Sequence, residues 1–121
     1  MSPMIKSVLR DEFNFTARPE NYVVTDSGAL DFMVSRFHRF NDTGEDAAVA
    51  AMHAGVDLNS GDVYSKLSLA LNDSRVEMDQ IDTALTRLFH ARMSLGLFDN
   101  ASTIAYSDLG ADDIFSGPHK R

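Results

Sequence analysis

Two carboxylates in this chain sit at or within short apolar runs, where a side chain at the end of a strand could do chemistry. Asp26 follows Tyr22-Val23-Val24-Thr25, and Asp57 stands inside Val56-Asp57-Leu58. An ionised carboxylate so placed can serve as nucleophile or general base. Taken alone, Asp26 in Asp26-Ser27-Gly28 reads as a turn former or helix N-cap, the usual employment of Asp after a strand. Asp57 reads as a structural group bonding nearby loop amides. His38, His53, His90 and His119 show no ligand spacing with one another. No acidic stretch has the regular spacing and glycine of a calcium loop. Cysteine is absent, which removes thiolate metal sites and disulfides. The residues thus imply no metal and no cofactor, and the phenylalanines and methionines at helical spacing are core.

The elements that must position these groups follow from periodicity. Residues 4–13 place Ile5, Val8, Leu9 and Phe13 on one helical face. Pro19 stops any helix in the following loop. Residues 22–25 form a compact β-branched and aromatic run, read as a buried strand. Residues 29–37 are helical by pattern, with Leu30, Met33, Val34 and Phe37 inward. Thr43 and Asp46 have capping-box spacing before the alanine-rich run 47–54, and Gly55 supplies the stop. Asp42, Glu45 and Asp46 suit the positive end of that helix. Residues 56–58 are a second short strand. Residues 62–73 read as one helix with Val63, Leu67, Ala70 and Leu71 inward. Ile81, Leu85, Leu88, Phe89 and Met93 mark one face of a longer helix closed near Gly96. From Asn100 the chain is polar and aperiodic, a linker or tail. Strands alternating with helices imply parallel pairing and an α/β fold. Two strands alone make a poor sheet with open edges.

The chain has 121 residues, 44% hydrophobic and 24% charged, with a formal net charge of −7. These values describe a globular chain and disfavour a nucleic-acid binder, which needs a basic face. No apolar run reaches the length of a membrane span, so no membrane partner is expected. The N-terminal residues lack the apolar run of a secretory leader. Four of the six asparagines nevertheless lie in Asn-x-Ser/Thr sequons: Asn14, Asn41, Asn72 and Asn100. That enrichment points to N-glycosylation, hence an extracellular parent protein with further polypeptide N-terminal to this segment.

Three motifs in register carry a resemblance. Tyr22-Val23-Val24-Thr25-Asp26-Ser27-Gly28-Ala29, Ala54-Gly55-Val56-Asp57-Leu58-Asn59-Ser60-Gly61, and Ile81-Asp82-Thr83-Ala84-Leu85 through Leu95-Gly96-Leu97-Phe98-Asp99 together resemble glycoside hydrolase family 3. The likeness runs over residues 4–115 and is strongest to the β-xylosidase and β-glucosidase branch. It implies that the chain is a fragment of a (β/α)8-type barrel, with strands at 22–25 and 56–58 as the seventh and eighth. Residues 1–99 would be the C-terminal part of the barrel domain, and 100–121 a linker toward a second domain. A whole barrel takes about 250 residues, so the remaining strands would lie outside this chain.

The resemblance also implies chemistry. Asp26 matches the family's catalytic nucleophile, and barrel enzymes carry reacting groups at the C-terminal ends of strands. The implied parent is a retaining exo-β-glycosidase that removes terminal xylose or glucose from an oligosaccharide substrate, inactive as this segment alone. The general acid would lie elsewhere. His38 could line a sugar subsite, and Asp57 is weighed as structural ahead of sugar-contacting. Ser27 and Ser60 stand where the xylosidase branch often has cysteines, consistent with a lost cross-link between neighbouring strand ends. Ser74 and Glu77 stand where the family usually has a helix-stopping Gly and a Ser/Thr cap. The rival expectations are a non-catalytic sugar binder, which the absence of tryptophan disfavours, and an acidic helical interaction protein.

Overall fold

The computed structural model describes residues 3–117. His119 and the rest of 118–121 lie outside the described residues. The chain divides into two compact units, residues 1–91 and 92–121.

The first unit opens with a wide-turned helix over Pro3–Glu12, closed by the Phe13 N–H on the Val8 carbonyl at 3.0 Å. Ile5, Val8 and Leu9 are half-buried there, whereas Phe13 is exposed rather than on the core face. The α-helices follow as α1 (Ala29–Val34), α2 (Gly44–Ala54), α3 (Leu67–Asn72) and α4 (Met78–Ser94). The helix expected over 29–37 stops at Val34, because Ser35 turns extended. Phe37 is consequently 90% exposed. The single helix expected over 62–73 is a 3-10 turn, Val63–Lys66, running into α3, and Val63, Leu67 and Ala70 still face inward.

The core forms around α2. Ala47, Ala48, Val49, Ala51, Met52 and Ala54 are all buried on it. The four alanines let backbones approach closely, and Leu30, Val56, Val63, Leu67, Ala70 and Val76 pack with α2 in one apolar cluster. Both helix ends match their sequence signals. The Thr43 hydroxyl accepts from the Asp46 N–H at 3.1 Å, and the Asp46 carboxylate accepts from the Thr43 N–H at 3.2 Å. The Thr43 hydroxyl, then Arg75, hold the Asp46 carboxyl below its usual range. At the other end Gly55 is left-handed at φ 93° and the Val56 N–H reaches the Ala51 carbonyl at 3.1 Å, a Schellman closure.

The strands expected over 22–25 and 56–58 are not formed. Among the described residues the pairing is one parallel bridge, Val24 to Leu58, and no (β/α)8 arrangement is present. The Thr25 N–H donates to the Leu58 carbonyl at 3.0 Å, while the Val23 carbonyl takes both the Asp57 and Leu58 N–H groups at 2.9 and 3.1 Å. Each segment has a single partner, and a shared acceptor breaks the even spacing of a parallel ladder. Tyr22 and Val24 are exposed instead of buried for the same reason. The first unit is therefore helix-rich, its extended segments meeting at one point.

The second unit holds the last turn of α4 and short 3-10 turns at Ala101–Thr103 and Ala111–Asp113. Leu95, Leu97, Phe98, Tyr106, Leu109, Ile114 and Phe115 are all exposed within it.

Two left-handed positions give opposite mutational outcomes. Ser74 has φ 55°, a conformation that glycine adopts without strain, so Ser74→Gly should stabilise the chain by a few tenths to about 1 kcal/mol. A Cβ on Gly55 would sit 3.4 Å from Ile5 Cγ2 at φ +93°, so Gly55→Ala should cost about 1–2 kcal/mol. Urea titration of the helical circular-dichroism signal should shift in opposite directions for the two variants. Equal shifts would contradict this account of both turns.

Candidate active site

Asp26 lies just past the Val24–Leu58 bridge and is exposed. Its carboxylate Oδ1 accepts the Ser27 N–H at 2.8 Å, and its backbone carbonyl accepts the Ala29 N–H at 3.1 Å. The side chain does not cap α1 through Gly28 or Ala29: the N-cap of that helix is Gly28, with no side-chain cap bond. Gly28 is left-handed at φ 71°, and its N–H donates to the Ser60 carbonyl at 2.8 Å. The turn that bears Asp26 is thus pinned to the turn after Leu58.

Side chains tie the same two turns together. Thr25 Oγ1 accepts from Asn59 Nδ2 at 3.2 Å and from the Ser60 N–H at 3.0 Å. Asn59, itself buried, accepts the Tyr64 N–H on its own Oδ1 at 3.2 Å. Ser27 Oγ and Ser60 Oγ lie 2.9 Å apart. Asp26 therefore projects from a cross-tied pair of chain reversals, which fixes its backbone while leaving its carboxylate accessible. Such an arrangement can present an anionic nucleophile to an electrophilic carbon.

Below these turns Asp57 is 5% exposed and fully engaged. Its Oδ2 accepts from Arg10 Nη2 at 2.6 Å and from the Val23 N–H at 2.8 Å, and its Oδ1 from Arg87 Nη1 at 2.8 Å. The role is structural. Tyr64 donates its hydroxyl to the Val56 carbonyl at 2.8 Å; burial, then the Asp57 charge, push the phenol well above its usual range. His38 is exposed, edge-on to the Phe32 ring with centroids 6.2 Å apart, and is not in the hydrogen-bonded set around Asp26. No group of three or more His, Cys, Asp or Glu among the described residues could hold a metal ion.

Of the sequon asparagines, Asn14, Asn72 and Asn100 are exposed. Asn41 is half-buried, its Oδ1 buried without a partner, and the Thr43 of its sequon is engaged in the α2 capping box.

Sequence reasoning did not find Arg10, Arg87 or Asn59. Arg10 and Arg87 stand 47 and 30 residues from their shared carboxylate, beyond any local pattern. The available signal was Asp57 itself, since a carboxylate among apolar strand residues requires a buried cation.

No family model matches the chain. Curated relatives do. It is 34% identical over 112 residues to exo-1,4-β-xylosidase bxlB of Emericella nidulans, covering 92% of this chain and 14% of that protein. It is 31% identical over 116 residues to the probable exo-1,4-β-xylosidase xlnD of Neosartorya fischeri, covering 95% of this chain and 15% of that one. Among solved structures, a GH3 exo-β-xylosidase, XlnD, determined with a xylobiose aziridine probe, superposes with a TM-score of 0.78 at 28% identity, covering 90% of this chain and 14% of that one. The chain is thus similar, over nearly all of its own length, to one segment of glycoside hydrolase family 3 proteins. The relatives are exo-1,4-β-xylosidases, and the chain spans about 14% of their length.

The hydroxyl pair yields a direct test of the turn geometry. Changing both Ser27→Cys and Ser60→Cys should produce a disulfide on air oxidation, detected as loss of both free thiols in a denatured thiol assay. Thiols that persist under oxidant would show that the two turns are not held side by side.

Proposed function

We propose that this chain is the nucleophile-bearing part of a retaining exo-β-glycosidase acting on terminal β-linked xylose, ahead of glucose, at the non-reducing ends of oligosaccharides. Asp26 attacks the anomeric carbon and forms a glycosyl ester. A carboxylic acid from another part of the protein protonates the departing oxygen, and water then releases the sugar with retained configuration. In a longer polypeptide that supplies the neighbouring strands, residues 22–25 and 56–58, joined here by one parallel bridge, would become the last two strands of a (β/α)8-type barrel. Residues 1–99 belong to that barrel domain, and 100–121 lead toward a further domain.

The observation that carries this reading is the exposed Asp26 carboxylate, held among the described residues by its neighbour's N–H, on a turn cross-tied to the following extended segment. A helix cap would have spent those oxygens. The exo-β-xylosidase relatives and the Asp26 register within the family motif support the substrate class. His38 remains a candidate for a sugar subsite through its exposed edge beside Phe32.

The chain by itself should not hydrolyse an aryl β-xyloside, because the acid and most of the sugar-holding groups lie elsewhere. In a longer polypeptide that supplies the other strands and the second domain, Asp26→Ala should lower turnover by several orders of magnitude without unfolding it. Azide should then partly restore turnover of an activated xyloside, with inverted product. A longer polypeptide that keeps most of its activity without Asp26 would falsify the assignment.

We also propose that the parent protein is extracellular and N-glycosylated. Exposure favours transfer to Asn14, Asn72 and Asn100, whereas the partly buried Asn41 is the poorest acceptor. Expression through a eukaryotic secretory route, followed by glycopeptide mass spectrometry, should find the lowest occupancy at Asn41. Full occupancy at Asn41 with the others bare would reverse this ranking.

A further inference from the structure

A cavity of about 290 Å³ opens beside the Asp57 cluster, away from the turn that carries Asp26. Lys6 and Arg10 of the first helix, Asp57, and Asp79, Thr83 and Arg87 of α4 line it. Two guanidinium groups share the single Asp57 carboxylate, so that cluster carries one positive charge in excess. The exposed Lys6 and Asp79 offset one another and leave the excess standing.

Arg10 is the unusual member. It is only 6% exposed, and Nη2 is spent on the Gly55 carbonyl at 3.0 Å and on Asp57. Its Nε and Nη1 are buried with no acceptor among the described residues. The Phe15 ring, 5.9 Å from the guanidinium carbon, covers a face of the cation but accepts no N–H bond in its plane. A buried donor on a cation that lacks an acceptor is costly, and a net buried charge more so. Both deficits have one remedy, an anionic oxygen in the adjoining cavity.

We propose that this cavity binds a small oxyanion, a carboxylate or phosphate group, with an oxygen accepting from Arg10 Nη1 and the Arg87 and Lys6 cations about it. The site is independent of the reading of Asp26 and would stand if that reading failed. The anion is either a free ion or an Asp or Glu side chain from further polypeptide, since both offer the same oxygens to the guanidinium.

The test is a titration of the isotope-labelled chain with inorganic phosphate at constant ionic strength, balanced with chloride and followed by NMR. A saturable shift is expected at Arg10 Nε–H and at the Gly55 and Thr83 amides, half-complete at roughly millimolar phosphate. Exposed positions supply variants that leave the buried cluster intact. Lys6→Glu should weaken binding about tenfold, and Asp79→Asn should tighten it. Repeating the titration on a longer polypeptide identifies the source. An Arg10 signal already shifted and insensitive to phosphate assigns a side chain of the protein; a retained response assigns a free ion. A linear, unsaturable drift, or identical curves for wild type, Lys6→Glu and Asp79→Asn, overturns the proposal.

Discussion

The rest of the first unit depends on one buried carboxylate. Asp57 binds Arg10 of the first helix, Arg87 of α4 and the Val23 amide, and so ties three segments far apart in sequence to one point. Removing that carboxylate leaves the buried Arg10 cation without its counter-ion in the interior, at a cost of about 3–5 kcal/mol. Apolar packing could replace that stability, but it would not fix direction. The Asp57 bond to Val23 sets where the extended run begins, and the Val24–Leu58 bridge sets its line. What leaves the end of that line is the turn with Asp26.

The apolar core complements this by being small. The four buried alanines of α2 allow close approach of backbones, so the cluster around them is dense but offers little large apolar surface. Many of the larger residues, among them Phe32, Phe37, Phe40, Leu85 and Phe89, stay exposed. That distribution suits a segment whose relatives are several times longer.

Much of the fold was legible locally. The capping box at Thr43, the left-handed stop at Gly55 and the alanine run between them all follow from side-chain chemistry within one or two helical turns. At Ser74 the family resemblance implied a helix-stopping glycine position, and the backbone there is left-handed. The extended segments were located but overstated. β-Branched residues favour extended backbone, yet a ladder needs neighbours on both sides, and each segment has one. The inward assignments of Phe13 and Phe37 failed because a helix that stops early releases its last apolar residue to solvent.

By itself the sequence determined the motif order, the places of the helical segments though not all their ends, and that Asp26 follows an extended run, because these depend on short-range chemistry. The tertiary structure alone decided that Asp57 is a shared counter-ion and that Arg10 is buried with donors to spare, whereas the meeting of Ser27 and Ser60 was already implied by the family resemblance. Those facts concern groups some 30 to 47 residues apart. Spacing along the chain carries no information at that range; only the folded backbone brings such charges and hydroxyls within hydrogen-bonding distance.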